Sequence, residues 1–261
     1  MTTVQDILNF IENIAPTYMK YEWDHVGLNC GHSDAPVTKI LVALDPFDEA
    51  VAEAKELGAQ LLLTHHALIW DGGFVNDQTV WGKNVMTLLE NGIAHITAHT
   101  NLDRAPGGIN DVLAETLGLR DISVVNPVGT DSQGRPYGLL RIGTVPEQEL
   151  DTFLAAVKAA LGCDGLRYVG AKRVHRVAVG GGSCASDMMD AYHAGCDTFV
   201  TADIKYNQFR TAHELGMNIV DAGHFHTENP AMTVLVQKLQ VAFPEIEVVL
   251  SQKHTDCMKF Y

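Results

Sequence analysis

The chain alternates between short, unbroken apolar runs and longer stretches in which apolar residues return every three or four positions. Val4, Ile7, Leu8 and Ile11 fall on one face of an amphipathic N-terminal helix. Residues 39–44 then read as a buried strand, and 47–57 as a helix closed by Gly58. The unit recurs as a strand at 60–64, a helix at 81–90 closed by Asn91 and Gly92, a strand at 93–98, and a helix at 109–117 closed by Gly118. Strands alternating with helices of this length predict right-handed crossovers and a mainly parallel, doubly wound sheet. In such sheets ligands gather outside the carboxyl ends of the strands.

Residues 126–136 are rich in turn formers and are expected to mark a domain boundary. A strand at 137–144, a helix at 147–161 and a strand at 173–179 follow. A further alternation brings a helix near 187–194, a strand at 198–202, a helix at 205–215 and a strand at 218–221. Asn229 and Pro230 fit the N-cap and first position of a helix running to about residue 241, which leaves the residues just before them in a loop. A last strand at 246–250 could return to the first sheet. The expected fold is therefore two-lobed α/β, with mainly parallel doubly wound sheets. Residues 1–125 plus 221–261 form the first lobe, and 126–220 the second.

Composition sharpens this in a few ways. With 261 residues, 46% hydrophobic and 19% charged, the chain can bury one large core or two modest ones. A formal net charge of -14 repels nucleic acid and anionic membrane surfaces, so no DNA partner is expected. A phosphorylated substrate would need local positive charge, which metal ions can supply. The N-terminus lacks a basic start followed by an apolar stretch, and no run approaches the roughly 18 apolar residues of a membrane span, so a cytoplasmic location is expected. The five cysteines, Cys30, Cys163, Cys184, Cys196 and Cys257, are scattered and include no Cys-x-x-Cys pair, as reduced thiols would be.

Candidate chemistry stands where apolar runs stop. His65 and His66 follow Leu61-Leu62-Leu63-Thr64, Asp103 follows residues 96–102, and His224 and Glu228 follow residues 218–223. Imidazole and carboxylate suit intermediate divalent cations such as Zn, Mn, Fe, Co or Ni, without choosing between them. Five such ligands exceed the needs of one tetrahedral ion, and two ions sharing a carboxylate is the natural reading. Adjacent residues of a strand point to opposite faces, so both histidines can serve neighbouring ions only if the strand has ended at Thr64.

Other residues leave alternatives open. His226 competes with His224 as a ligand, or is a proton donor. His95 and His99 flank a strand and are read as structural, orienting Asp103. Asp203 and Asp45 also follow strand ends, as support for the site, substrate contacts or solvated loop residues. Gly180 to Ser183 lacks the lysine and spacing of a phosphate loop and is expected to form a tight strand-to-helix turn. Cys184 beside it is expected to be a buried thiol. Trp23 and Asp24 either brace or line the site, with core packing an equal explanation for the tryptophan.

Six strings carry a resemblance over nearly the whole chain: Glu22-Trp23-Asp24-His25-Val26-Gly27-Leu28, residues 63–69, His99 to Asp111, residues 178–183, residues 199–203, and Asp221-Ala222-Gly223-His224-Phe225-His226-Thr227-Glu228. They resemble the GTP cyclohydrolase 1 type 2 homologues, also called the Nif-three-like family. The resemblance implies two divalent metal ions per subunit, held by His65, His66, Asp103, His224 and Glu228. It also implies a ring-shaped homohexamer whose metal sites face an internal cavity. The activity it suggests is metal-dependent hydrolysis of a nucleotide-like or heterocyclic substrate, with His226 as a candidate proton donor and Arg104 as a candidate phosphate contact. A noncatalytic regulatory or metal-buffering protein and a metal-dependent phosphoesterase are the alternatives. His25 and Ala67 depart from the residues common in the family, and the inserted domain of longer relatives is missing.

Overall fold

The computed structural model describes residues 1–70 and 72–261. In chain order its elements begin with helix α1 (Val4–Ile14), strands β1 (Gly27–Cys30) and β2 (Lys39–Ala43), α2 (Asp48–Leu57), β3 (Leu61–Thr64), α3 (Val80–Glu90), β4 (Ala94–Thr97) and α4 (Thr100–Arg104). Next come α5 (Ile109–Thr116), β5 (Arg120–Val124), β6 (Gly129–Thr130), β7 (Pro136–Tyr137), β8 (Arg141–Gln148), α6 (Leu150–Leu161), β9 (Arg167–Val169) and β10 (Val174–Val179). The chain ends with α7 (Met188–His193), β11 (Thr198–Thr201), α8 (Tyr206–Leu215), β12 (Asn218–Asp221), α9 (His224–Glu228), α10 (Pro230–Ala242) and β13 (Glu247–Leu250). They divide into two compact units: Met1–Ala105 with Met232–Thr255, and Pro106–Ala231 with Asp256–Tyr261.

In the first unit the strand order is β1-β4-β3-β2-β13. The four strands from β4 to β13 run parallel, and β1 pairs antiparallel with β4 at the edge. Leu61, Leu62 and Leu63 are all fully buried, as expected of a parallel strand covered on both faces. Leu41, Ala43 and Leu62 pack with Ala50, Val51 and Ala54 of α2 and Val85 and Leu88 of α3. Helix α1 starts at a capping box, in which Thr3 and Asp6 satisfy each other's backbone, and buries Val4, Ile7 and Ile11. Strand β13 does return to this sheet, pairing with β2 from Glu247↔Lys39 to Leu250↔Val42.

The second unit departs from the expected mainly parallel sheet. Its order is β5-β8-β10-β11-β12-β9, and only β10, β11 and β12 run parallel to their neighbours within that trio. Strands β5, β8 and β9 join antiparallel, so the sheet is mixed. Its core follows the period of two. Val177, Val179, Val200 and Val220 pack with α5 and α6, while Ala178, Phe199 and Ile219 pack with α7 and α8 on the opposite face.

The unit boundaries also differ from the expected divisions at 125/126 and 220/221. Leu113 and Ala114 of α5 belong to the second core, and β5 is an edge of the second sheet. The turn formers at 126–136 make the β6–β7 ribbon inside that unit, with Gly129 opposite Tyr137 and Thr130 opposite Pro136. Strand β12 pairs with β11, so it and the α9 turn after it also belong to the second unit. Among the described residues, no helix is long and apolar enough to cross a membrane.

Candidate metal centre

In the first unit the polypeptide turns sharply after β3. The amides of His65 and His66 both donate to the carbonyl of Leu44, at 3.1 and 3.0 Å, and the Thr64 hydroxyl donates to the carbonyl of His66 at 2.6 Å. The strand has ended, as two neighbouring imidazoles on one side require, and the two rings lie 4.8 Å apart. His95 is wholly buried, and desolvation alone pushes its pKa down to about 3, so its ring is neutral. Its Nε2 lies 2.7 Å from the Thr64 hydroxyl. That hydroxyl spends its proton on His66, so it accepts from His95 and locks the turn from behind.

Helix α4 begins where β4 stops, with His99 as its N-cap. His99 and Asp103 are four residues apart on this single turn and share a face. His99 also joins the histidine pair: one ligand atom from each of His65, His66 and His99 lies within 4.8 Å of the others. The sequence reading took His99 as structural. The helical spacing His99-x-x-x-Asp103 after a strand end was the available signal. The carboxylate of Asp103 stands 3.5 Å from His65 Nε2.

Each of these imidazoles is held from behind. His65 Nδ1 donates to the carbonyl of Ala98 at 2.8 Å, His66 Nδ1 to Asp45 at 2.6 Å, and His99 Nδ1 to Asp24 at 2.8 Å. Carbonyl and carboxylate oxygens can only accept, so each Nδ1 carries a proton and each ring is fixed in direction, as outer partners fix metal-ligating histidines. Burial would raise the Asp24 carboxyl, but hydrogen bonds from His99 and Thr100 hold it down at about 2. Burial also opposes the charge on Asp45, and His254 and His66 together outweigh it and lower its pKa. His254, whose Nε2 lies 2.8 Å from the other oxygen of Asp45, is a support that sequence reasoning did not single out. Arg104, the candidate phosphate contact, is buried with its guanidinium over the Tyr21 ring, 4.6 Å from the centroid.

The second unit repeats the device. His224 and Glu228 were expected in a loop of the first lobe, and instead sit on the helical turn α9 of the second unit. Asn229 has helical backbone angles and so does not act as a simple N-cap for α10. Their i,i+4 spacing brings His224 Nε2 to 3.1 Å from the Glu228 carboxylate. His224 Nδ1 donates to Asp203 at 2.7 Å, the support allowed for Asp203 from its position after a strand. Burial would depress the His224 pKa, yet Asp203 and Glu228 raise it to about 11, a measure of how strongly this pocket calls for positive charge.

The glycine turn after β10 cradles Glu228. A Cβ on Gly182 would fall 2.1 Å from Glu228 Oε1 and 2.9 Å from His224 Nε2, and its φ of +62° suits glycine. Its amide donates to Thr227 at 2.9 Å, and the amide of Gly181 donates to Asn110 at 2.6 Å. Residues 180–183 thus form the expected tight turn, with Cys184 buried beside it.

His226 is not brought to this pair. Two residues along a helical turn it faces away, with Nδ1 donating to the Leu161 carbonyl at 3.2 Å and Nε2 lying 3.2 Å from Asp256. Its two ring nitrogens are thus engaged by Leu161 and Asp256. In both units the donor sets, imidazole nitrogen with carboxylate oxygen, fit a borderline divalent cation.

Residues 2–257 match the Duf34/NIF3 (NGG1p interacting factor 3) family. A Clostridium perfringens protein called GTP cyclohydrolase 1 type 2 homolog is 35% identical, over 98% of this chain and 99% of that protein. A Lactococcus lactis protein of the same name is 32% identical, over 97% of each. The crystal structure of a Bacillus cereus protein related to NIF3 superposes with a TM-score of 0.94 at 26% identity, covering 100% of this chain and 99% of that one.

Proposed function

Since the chain belongs to the Duf34/NIF3 family, we propose that it is a metal-dependent hydrolase acting on a nucleotide-like or heterocyclic substrate, as the name of its relatives suggests. We assign two divalent ions per subunit to His65, His66, Asp103, His224 and Glu228. One observation carries the reading: each of the four imidazoles, His99 included, is held at Nδ1 by an oxygen acceptor, the support that metal-ligating histidines characteristically have.

Bound divalent ions would supply Lewis acidity and water activated near neutral pH. The protein's own part is orientation. Asp45, Asp24 and Asp203 fix the tautomer and direction of His66, His99 and His224, and the Gly182 turn fixes Glu228. The test is to incubate metal-loaded protein with GTP and measure formate and a ring-opened product, beside a His65→Ala, Glu228→Ala double variant. Product formed only by the wild type supports the assignment. Equal turnover by both proteins overturns it. We propose further that the chain is cytoplasmic and assembles as the homohexamer its relatives' resemblance implies. A solution mass of one or two protomers would refute that assembly.

A further inference from the structure

A run of aromatic rings in the first unit has no part in the chemistry above. Tyr21 and Trp23 are stacked, with centroids 5.8 Å apart and planes 8° from parallel. Trp23 in turn stacks on Trp70 at 6.4 Å and 28°. Trp70 meets His99 edge to face at 5.0 Å and 85°, and Trp23 meets the same ring at 6.1 Å and 68°. The run therefore ends on the imidazole cluster, where His99 lies 5.0 Å from His65 and 5.4 Å from His66.

Core packing does not account for these indoles, because Trp23 is 59% and Trp70 40% exposed. Tryptophan is highly buried on average, and two large apolar rings left open side by side mark a surface that something covers. The near-parallel planes favour a flat occupant over an irregular one, since offset stacking is the preferred contact of a π face. A ring laid on this face would stand beside His65, His66 and His99. An aliphatic or purely phosphate ligand would gain little from it.

We propose that Trp23 and Trp70, with Tyr21 stacked against Trp23 as its support, form a stacking wall that holds the planar heteroaromatic ring of the substrate beside the histidine cluster. This rests on the reading that His65 and His66 hold a metal ion at which the substrate reacts. It selects a heterocycle over a simple phosphoester as the substrate class.

Intrinsic tryptophan fluorescence gives a test that needs no turnover. A Trp81→Phe background confines emission to Trp23 and Trp70, and the metal-loaded and metal-free proteins are titrated with guanosine and, as a ring-free control, ribose 5-phosphate. Saturable quenching by guanosine alone is expected. Affinity measured by equilibrium dialysis should fall about tenfold in Trp23→Ala and in Trp70→Ala, in line with the usual contribution of base stacking on an aromatic ring. Trp23→Phe, which keeps a flat face, should retain most of it. Absence of saturable quenching, equal response to ribose 5-phosphate, or unchanged affinity in folded alanine variants would overturn the proposal. So would a fall in solution mass of the alanine variants in a protein that binds no guanosine, since the indoles would then cover a second copy of the chain. Stacking without turnover leaves the wall standing and removes the hydrolase. Turnover of a heterocyclic substrate that is indifferent to both alanine variants does the reverse.

Discussion

The turns His99 to Asp103 and His224 to Glu228 are the same device built twice: a parallel strand ends, one helical turn begins, and a histidine and an acid four residues apart share its face. They differ in what stands behind them. His99 leans on Asp24, whose side chain is wholly buried and also accepts from the backbone and hydroxyl of Thr100. His224 leans on Asp203, whose side chain is 48% exposed and whose backbone φ is +53°. A carboxylate buried among donors is part of the fold, whereas one open to water can act on its histidine without holding the unit together. The difference predicts that disturbing the first support costs stability, and that disturbing the second costs metal.

Asp24→Ala should have the largest effect. It strands the His99 and Thr100 donors in the interior and should lower unfolding free energy by about 3 kcal/mol, read by urea denaturation of the metal-free protein. A loss below roughly 1 kcal/mol would erase the contrast between the two supports. Gly182→Ala comes next. The new methyl meets the Glu228 carboxylate in a left-handed backbone position, so about 2 kcal/mol of stability and a large share of bound metal should be lost together. Metal content unchanged after dialysis would show that Glu228 is not a ligand.

Asp203→Asn should weaken metal binding about tenfold, measured by competition with a chelator, while moving the urea midpoint little. A matching loss of stability would make the second support as structural as the first. The smallest effect is expected from His226→Gln, with stability lowered by about 1 kcal/mol at most and metal content unchanged. Loss of metal in that variant would reinstate His226 as a ligand in place of His224.

Much of the scaffold was legible because its strands are continuous apolar runs. Leu61 to Leu63 and Ile219 to Val220 are buried on both faces and have no competing helical period. Two of the edge strands, β1 and β9, were not. Gly27–Cys30 is only half-buried along its length, and Arg167–Val169 is short and largely exposed, so neither shows an apolar signature. Strand β8 begins and ends four residues later than expected. Pro146 lies in the irregular stretch between the paired residues Thr144 and Gln148, where a residue without a backbone N–H is tolerated.

The candidate ligands were found from residue type and position after apolar runs, but their local geometry was not. Helices α4 and α9 are five residues each, too short for a hydrophobic period, so neither was expected and His224 and Glu228 read as loop residues. That is also why His99 was read as structural. Asp45 and His254 are separated by more than two hundred positions, and only folding puts them behind His66.

The most direct test is an anomalous difference map of metal-loaded crystals, recorded at the absorption edge of the ion present. Two peaks are expected, each about 2.0–2.2 Å from imidazole Nε2 or carboxylate oxygens of His65, His66, Asp103, His224 and Glu228. A map in which those five side chains hold no ion, or in which the ions are held by other residues, would contradict the proposed centre.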